Sequence, residues 1–367
     1  MFVLPTCVNS QPATDSSGFA EESWFYEDSA SIGSLSLEPI SHIPGVVSVI
    51  SKEMVSAMGA RLLTDVLKQV PGFDLSYNNF GEFFLAIRGI DKPSNVLVLV
   101  DGNRFNDFYS GDPLFDIPVD NIDRIEILRG PGSSLYGTNA MVGVVNIITK
   151  KELGFNARLG GGKFDTWKAN VQFGNFLGDL ELFGFFETYN TKGGDALIEE
   201  DLAKQQNVPH LTPGRINDEK KKIQGYFGGN FAGYKGTFNL YKEERGPNVG
   251  YRKVMARGSS VDTTYLSLAL EKTFTIMPGL DFSPRFFADH RQRDINIQLY
   301  PPYFMSLDQT RTVFLSGPWQ LKKYQTFHYG SELRLIGRTD ETSTFNAGVV
   351  FENSLLLNTD YKTNYSQ

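Results

Sequence analysis

Apolar and polar residues repeat with two different periods along the chain, and the change falls near residue 151. Before it, apolar residues at helical spacing alternate with continuous apolar runs, which predicts short helices between buried strands. Residues 46–151 are therefore predicted to form a compact α+β domain, of a size at which single domains are ordinary. Its predicted elements are a strand at 46–50, a helix capped by Ser51, a helix at 60–70, and strands at 83–87, 96–100, 122–128 and 142–148.

Beyond residue 151 the period is two. Between 167 and 173, Trp167, Val171 and Phe173 alternate with polar residues such as Asn170 and Gln172. Segments of this kind are predicted to be antiparallel strands with one apolar and one polar face. The rule gives about nine strands, each near the length that a tilted membrane crossing needs.

The connections between these strands alternate in length. Long loops on one rim and short turns on the other are typical of an outer-membrane β-barrel, whereas a soluble sandwich has short turns at both ends. Residues 152–367 are therefore predicted to be transmembrane β-barrel strands, with the hairpin near 163–166 as a short exception on the long-loop rim. Short turns fall at 177–179, 232–234, 276–279 and 338–342, and long loops at 192–222, 246–261 and 295–323.

Composition narrows the function further. A formal net charge of −7 over 367 residues argues against a nucleic-acid partner. The single cysteine, Cys7, excludes a disulfide framework, and the four histidines show no metal-ligand spacing, so neither a metal nor a cofactor is expected. Asp289 and His290 could mimic a hydrolase site, but adjacent strand residues point to opposite faces. No catalytic residues are predicted.

Residues 1–45 have the composition of a flexible arm, because Ser, Glu and Asp dominate without apolar periodicity. The sequence Trp24–Tyr26 interrupts the polar run. It is either a weak packing contact or part of a peptide that another protein binds by strand addition.

Four motifs in 46–151 resemble the plug domain of TonB-dependent outer-membrane receptors. They are DVLKQVPGFDL (65–75), IRGI (87–90), VLVLVDGNR (96–104) and IDRIEILRGPGSSLYGTNAMVGVVNIITK (122–150). The strands that follow resemble the start of that family's barrel, which has about 22 strands and a plugged lumen. Nine strands cannot close such a barrel, so we expect the N-terminal part of a longer protein. A small barrel of eight to ten strands is the alternative.

The resemblance implies a siderophore-receptor-like importer in the Gram-negative outer membrane. Its partners would be outer-membrane lipid and, at the periplasmic side, TonB with ExbB and ExbD, acting on a peptide within 22–36. An iron-siderophore complex is the first expected ligand, and cobalamin or haem the alternatives. A barrel hydrolase or a passive adhesin is the alternative of another class.

Two loops of the predicted plug, 76–84 and 104–116, are rich in aromatic residues that must meet a ligand, the surrounding wall or the domain's own core. By analogy with the family's apical loops we expect ligand contacts there. The expected contacts are Tyr77, Asn78, Asn79, Phe80, Phe108 and Tyr109.

Arg88 and Arg129 each precede a glycine, which lets the backbone approach the wall while the guanidinium reaches a barrel carboxylate. The resemblance implies that they lock plug to barrel; pairing within the plug is the alternative.

Two long-loop clusters are open to two interpretations each. Arg245, Arg252, Lys253 and Arg257 either attract an anionic chelate or are simply solvated, and Tyr300, Tyr303, Phe304 and Trp319 either cover a ligand or anchor in the outer leaflet.

Overall fold

The computed structural model describes residues 29–32, 38–40, 43, 45–78, 81–87, 89–90, 92–306, 311–338 and 344–365. Its first part is a domain of short elements, hereafter the plug. The plug comprises β1 (Val46–Ser51), α1 (Lys52–Ala57), α2 (Leu63–Leu67), β2 (Phe73–Tyr77), β3 (Phe83–Ile87), β4 (Val96–Val100), β5 (Asn103–Arg104), β6 (Ile122–Arg129), α3 (Ser133–Tyr136) and β7 (Gly143–Thr149).

The plug is built on a mixed sheet. Its strand order is β1-β6-β7-β4-β5, and the β4–β7 pair is parallel while its other pairs are antiparallel. All five residues of β4 are buried, which agrees with the prediction from its continuous apolar run. The β2–β3 hairpin is separate from this sheet.

The two plug helices differ in how well the sequence predicted them. The Ser51 side chain accepts a hydrogen bond from the Met54 backbone N–H at 3.4 Å, so the predicted cap is confirmed. The second helix covers Leu63–Leu67 rather than 60–70. It starts late because the Asp65 carboxylate binds the backbone N–H groups of Arg61 (3.0 Å) and Leu62 (3.1 Å) in a non-helical entry.

The loop predicted over 76–84 is shorter than expected. Tyr77 pairs with Phe83 and Ser76 with Phe84, so these residues belong to the β2–β3 hairpin. Cross-strand pairing wins here because Phe73–Tyr77 and Phe83–Ile87 have strand-forming residues on both sides of the turn. The turn itself spans 78–82, and its residues 79 and 80 lie outside the described part.

The second part of the chain forms one antiparallel sheet, hereafter the wall. Its strands are β8 (Gly154–Gly161), β9 (Trp167–Leu177), β10 (Leu180–Thr191), β11 (Lys220–Phe231), β12 (Tyr234–Arg245), β13 (Ser260–Lys272), β14 (Phe274–Met277), β15 (Leu280–Gln298), β16 (Trp319–Arg338) and β17 (Thr344–Thr363). Among the described residues the strand order is β8-β9-β10-β11-β12-β13-β15-β16-β17, and β14 pairs with β15 only. This order agrees with the predicted number of about nine strands, and its two ends in this part of the chain are β8 and β17.

The alternation of the wall follows the predicted period. Along β13, Thr263, Tyr265 and Ser267 are buried, whereas Leu268 and Leu270 on the other face are 57% and 47% exposed. Connections alternate between short turns and long loops, and the long loop between β10 and β11 contains the short helix α4 (Leu202–Gln205). The predicted turn 338–342 lies almost wholly outside the described residues. Within the described ranges, no helix is both long and apolar enough to cross a membrane.

Replacing Leu67 by Ala should destabilise the plug by about 2–5 kcal/mol, because the Leu67 side chain is fully buried in the plug core and its loss leaves a cavity. Hydrogen exchange of the β7 amides, measured on the purified protein, would show the change as faster exchange. Met141→Ala is the matched control, since Met141 is 64% exposed. Equal exchange in the two variants would contradict the assignment of the core.

Candidate functional site

The wall curves around the plug and touches it through side chains from β8 to β16. Two wall tyrosines, Tyr241 and Tyr265, are buried within the plug's own apolar core cluster. Tyr265 also donates a hydrogen bond to the Arg104 backbone carbonyl at 2.6 Å. Ion pairs form another part of the described contact, with plug carboxylates facing wall amines and guanidiniums.

Glu82 lies in the turn between β2 and β3 and is bound by two wall arginines. Arg245 donates to its Oε1 at 2.8 Å, and Arg293 binds the same oxygen. Asn78 supports the turn by donating to Glu82 Oε2 at 2.7 Å and accepting from the Glu82 backbone N–H at 2.9 Å. Burial alone would raise the pKa of Glu82, but Arg293 and Arg245 outweigh it and hold the pKa below its usual range.

Asp107 is the second contact and is almost completely buried. Tyr324 of β16 donates to its Oδ2 at 2.8 Å, and the Arg291 guanidinium of β15 lies 3.6 Å from the same oxygen. The Asp107 Oδ1 accepts the backbone N–H of Tyr109 at 2.8 Å. The carboxylate therefore shapes the 105–114 loop and attaches it to two wall strands.

Asn106 makes this loop rigid from the plug side. Its buried side chain accepts from the Val98 N–H at 2.8 Å and donates to the carbonyls of Val96 (2.8 Å) and Gly111 (2.9 Å). A buried amide whose partners are all backbone groups holds the loop against β4. The neighbouring aromatic residues of the loop are thereby held in fixed positions relative to β4.

Asp116 and Asp120 complete the series on the side of the first wall strands. Asp116 binds Lys220 and lies 3.5 Å from Lys222, whose Nζ also donates to the Asp116 carbonyl at 3.0 Å. The Asp120 carboxylate accepts a hydrogen bond from Lys168 Nζ at 2.7 Å and lies 3.4 Å from Arg158. Burial raises the pKa of both carboxyls, but these cations outweigh it and the pKa of each falls below its usual range.

The predicted ligand residues divide between two places. Tyr77 is 54% exposed, and Asn78 holds Glu82 at the β2–β3 turn. Phe108 stacks on His328 of β16 with ring centroids 3.5 Å apart, and Tyr109, 61% exposed, lies 4.8 Å from the Tyr324 ring. Asn79 and Phe80 lie outside the described residues.

Two other loop aromatics have a different role. Phe105 and Phe115 are 2% and 3% exposed and belong to the plug core, as the alternative of local burial predicts. The loop 104–116 therefore has aromatics of two kinds: those that hold the loop to the core and those that face the wall or solvent.

The predicted locking arginines touch the plug where they are described. Arg129 donates to the Pro71 carbonyl and to Ser48 Oγ, both at 3.1 Å, so these two acceptors are on the plug itself. A further contact of Arg129 with a barrel carboxylate stays a prediction. Arg88 lies outside the described part of the chain.

Sequence reasoning missed the carboxylates as plug–wall contacts. A signal for them exists on the wall side, where Lys220 and Lys222, and likewise Arg291 and Arg293, stand two residues apart on a strand. This spacing puts both cations of each pair on one face. Cations on the face that meets the plug need an acidic partner there, since a buried unpaired charge is costly.

A cavity of about 940 Å³ lies between the plug and the first wall strands, on the side of the long loops. It is bordered on the plug side by the turn bearing Tyr77 and Gly81, and Arg245 lies on its wall side. Phe108 and Tyr109 do not line it. Its polar wall residues include Lys163, Lys168, Glu187, Asp218, Lys220 and Lys222.

The long loops form a cluster of their own above the wall. Phe304 packs with Ala203, Val208 and Val254, and Tyr300 stacks on Phe304 with centroids 4.1 Å apart. The buried Asp201 joins two loops by accepting the Met255 N–H at 2.9 Å. Arg252, Lys253 and Arg257 are exposed on this cluster, and Tyr303 is 70% exposed.

Acidic and histidine side chains form no group of three or more suited to hold a metal ion among the residues that the structure describes. A folded α+β domain held by ionic contacts inside a curved antiparallel sheet defines the class of plugged β-barrels.

Comparison with known proteins agrees with this class. Residues 39–144 match the family model of the TonB-dependent receptor plug domain. The vitamin B12 transporter BtuB of Vibrio vulnificus is 29% identical over 327 residues, which is 83% of this chain and 52% of the transporter. The chain thus spans about half the length of that relative. Residues 39–144 are thus similar to the plug domain of TonB-dependent receptors, and the strands that follow continue the likeness to the transporter.

Solved structures share the fold. The ferric preacinetobactin receptor BauA of Acinetobacter baumannii aligns with a TM-score of 0.67 at 14% identity, covering 93% of this chain and 51% of BauA. The pyoverdine receptor FpvA of Pseudomonas aeruginosa PAO1 aligns with a TM-score of 0.63 at 13% identity, covering 91% and 50%. The sheet of this chain is accordingly an incomplete barrel of the plugged type.

Asp116→Asn should loosen the plug strongly, because it removes the carboxylate beside Lys222, whose side chain is 2% exposed. Breaking one partner of a buried pair costs about 3–5 kcal/mol. Hydrogen exchange over 105–121 in the full-length protein should accelerate. Asp123→Asn is the control, since the Asp123 side chain is 38% exposed, and it should leave exchange unchanged. Equal effects of the two changes would argue against the buried contact.

The Glu82 contact should survive mild acid. Because its pKa is lowered, its stabilising effect is complete above the ordinary Glu range and is lost only as the pH falls through the lowered value. A spin label at Ser76, in a Cys7→Ser background, should stay immobile from pH 7 down to about 4.3 and become mobile below. Glu82→Gln should be mobile throughout. Mobility that rises above pH 5 in the parent would contradict the assignment.

Proposed function

We propose that the full-length protein is an outer-membrane receptor that imports a scarce nutrient by TonB-coupled rearrangement of the plug. The observation that supports this most is the plug–wall interface, where Glu82, Asp107, Asp116 and Asp120 are held by wall side chains. A lumen wide enough for a bulky ligand must be filled, since an empty one conducts water and ions. Polar contacts can be replaced by water when the plug moves.

The ligand contacts that we propose lie on the plug's apical turns. They are Tyr77, Asn78, Asn79, Phe80, Phe108 and Tyr109. Tyr77 and Tyr109 expose aromatic faces suited to a bulky, partly apolar chelate. An iron-siderophore complex is the first candidate ligand. Cobalamin is the second, and it is supported by the likeness to a vitamin B12 transporter.

The energising partner would bind the N-terminal arm. We propose 1–45 as the arm, 46–151 as the plug and 152–367 as barrel strands, with a TonB-interacting peptide within 22–36. Most of that peptide lies outside the described residues. Its described part packs on the plug, since Ala30 and Ile32 are fully buried and Ser31 Oγ donates to Glu126 at 2.9 Å. A pull on the arm would therefore reach the plug directly.

Arg129, together with Arg88, is proposed to join the plug to barrel strands beyond those of this chain.

The hydrolase alternative has weaker support. Asp289 lies on the face of β15 that meets the plug, and Tyr265 of the neighbouring wall strand β13 donates to its Oδ1 at 3.0 Å. The adjacent His290 is on the opposite face of the strand.

Uptake measurements on a deletion strain test the proposal. Import of ⁵⁵Fe-loaded siderophores or of ⁵⁷Co-cobalamin should fall to background for one ligand, return on complementation with the full-length gene, and require TonB. Loss of iron-chelate uptake alone would assign the siderophore function, and loss of cobalamin uptake alone would assign the second candidate. Unchanged uptake of every ligand tested, with reduced surface adhesion, would instead favour the passive adhesin.

A further inference from the structure

The carboxylate of Glu82 occupies a place where two guanidiniums converge. Arg245 reaches it from the end of β12 at 2.8 Å, and Arg293 binds the same Oε1 from β15. Arg245 also donates to the Gly81 carbonyl at 3.4 Å. Two cations on different strands thus share one oxygen of a residue that belongs to a turn.

These guanidiniums are not saturated by the turn. The Nε atoms of Arg245 and Arg293 are buried and lack a hydrogen-bond partner among the described residues. The side chains are 11% and 15% exposed, and that of Glu82 is 25% exposed. The acidic member of the group is therefore the one nearest to solvent, while the two basic members are fixed in the wall.

Two neighbouring carboxylates already have partners of their own, so they do not compete for this place. Asp107 binds Arg291 and Tyr324, and Asp116 binds Lys220 and Lys222. An outside carboxylate that replaced Glu82 would leave the balance of buried charge unchanged. Glu82, once released, would be solvated at low cost because it is at the edge of the interface.

One of the two arginines, Arg245, is also accessible from the ligand side, whereas Arg293 and Glu82 line a smaller cavity of about 70 Å³ that Arg245 shares. Arg245 and Gly81 both line the cavity of about 940 Å³ that opens between the plug and the long loops. Glycines from several segments, including Gly162, Gly194 and Gly246, line the same cavity. A ligand group that enters there can approach Arg245 without displacing the plug.

We infer that Arg245 and Arg293 are a binding site for a carboxylate group of the imported ligand, and that Glu82 is its resident stand-in. Binding of the ligand's carboxylate displaces Glu82, and the β2–β3 turn loses its attachment to β12 and β15. The exchange couples occupancy of the cavity to release of one plug contact. Its role in transport rests on the proposed function, whereas the binding itself does not.

The geometry favours a carboxylate because arginine forks match planar oxyanions. The competition between Glu82 and an outside carboxylate also has a direct signature. Removing the resident carboxylate while keeping its shape should strengthen binding of the outside one. A purely structural Glu82 would give no such gain.

Tricarballylate, a tricarboxylate, serves as the probe, and its uncharged triamide as the control compound. Binding to the full-length receptor in detergent is measured at constant ionic strength, together with hydrogen exchange over 81–87. Wild type should bind the acid weakly, with faster exchange of the turn on binding. Glu82→Gln should bind at least about tenfold more tightly, since one competing charge pair is gone. The triamide should not bind.

Matched variants separate this from a general effect of charge. Arg293→Gln should abolish binding, and Arg245→Lys, which keeps the charge but not the fork, should weaken it. Glu200→Gln and Arg215→Gln, both exposed on the long loops, should bind as wild type does. Slow exchange of the β7 amides identifies variants that retain the folded plug. If Arg293→Gln fails this check, the Arg245→Lys result decides whether the two arginines bind the probe.

Equal or weaker binding in Glu82→Gln would overturn the inference, as would binding that persists in a folded Arg293→Gln. Because the probe is not the transported ligand, this test succeeds or fails independently of the uptake test. A receptor that binds tricarballylate but imports no tested chelate would retain the site and lose the proposed function.

Discussion

The structure depends on how acidic plug side chains meet basic side chains of the wall. A purely apolar interface between plug and wall would hold the plug more tightly, because each methylene removed from water stabilises the contact by about 0.8 kcal/mol. It would also make separation costly. Ion pairs at the edge of a hydrated interface contribute little when exposed and more when buried, so the strength of each contact is set by its burial. Here Asp107 and Asp116 are buried, whereas Glu82 is partly open to solvent.

This gradient divides the plug by strength of attachment. The 105–121 region is held by Asn106 within the plug and by Asp107 and Asp116 to the wall. The β2–β3 turn has Glu82 and Asn78, and Tyr77 beside them is exposed. The turn next to the cavity is thus the contact that a ligand can release first, while the core strands stay in place.

Much of the fold could be predicted from local pattern. The run Val96–Val100 marks a strand buried on both faces, Ser51 marks a helix start, and loop lengths on the wall mark its two rims. Pairing across long separations could not be predicted, because Glu82 and Arg293 are 211 residues apart and neither belongs to a motif. Aromatics in loops were equally ambiguous: Phe105 is buried and Tyr109 exposed, although both belong to one loop.

The most direct test of the ionic attachment is the conductance of planar lipid bilayers that contain the full-length protein. A variant with Glu82→Gln, Asp107→Asn, Asp116→Asn and Asp120→Asn is compared with one carrying as many amide substitutions at exposed loop carboxylates. If the plug is held by these contacts, the first variant opens ion-conducting channels at urea concentrations where the control stays closed. Identical closure of both variants over the whole urea range would contradict the account.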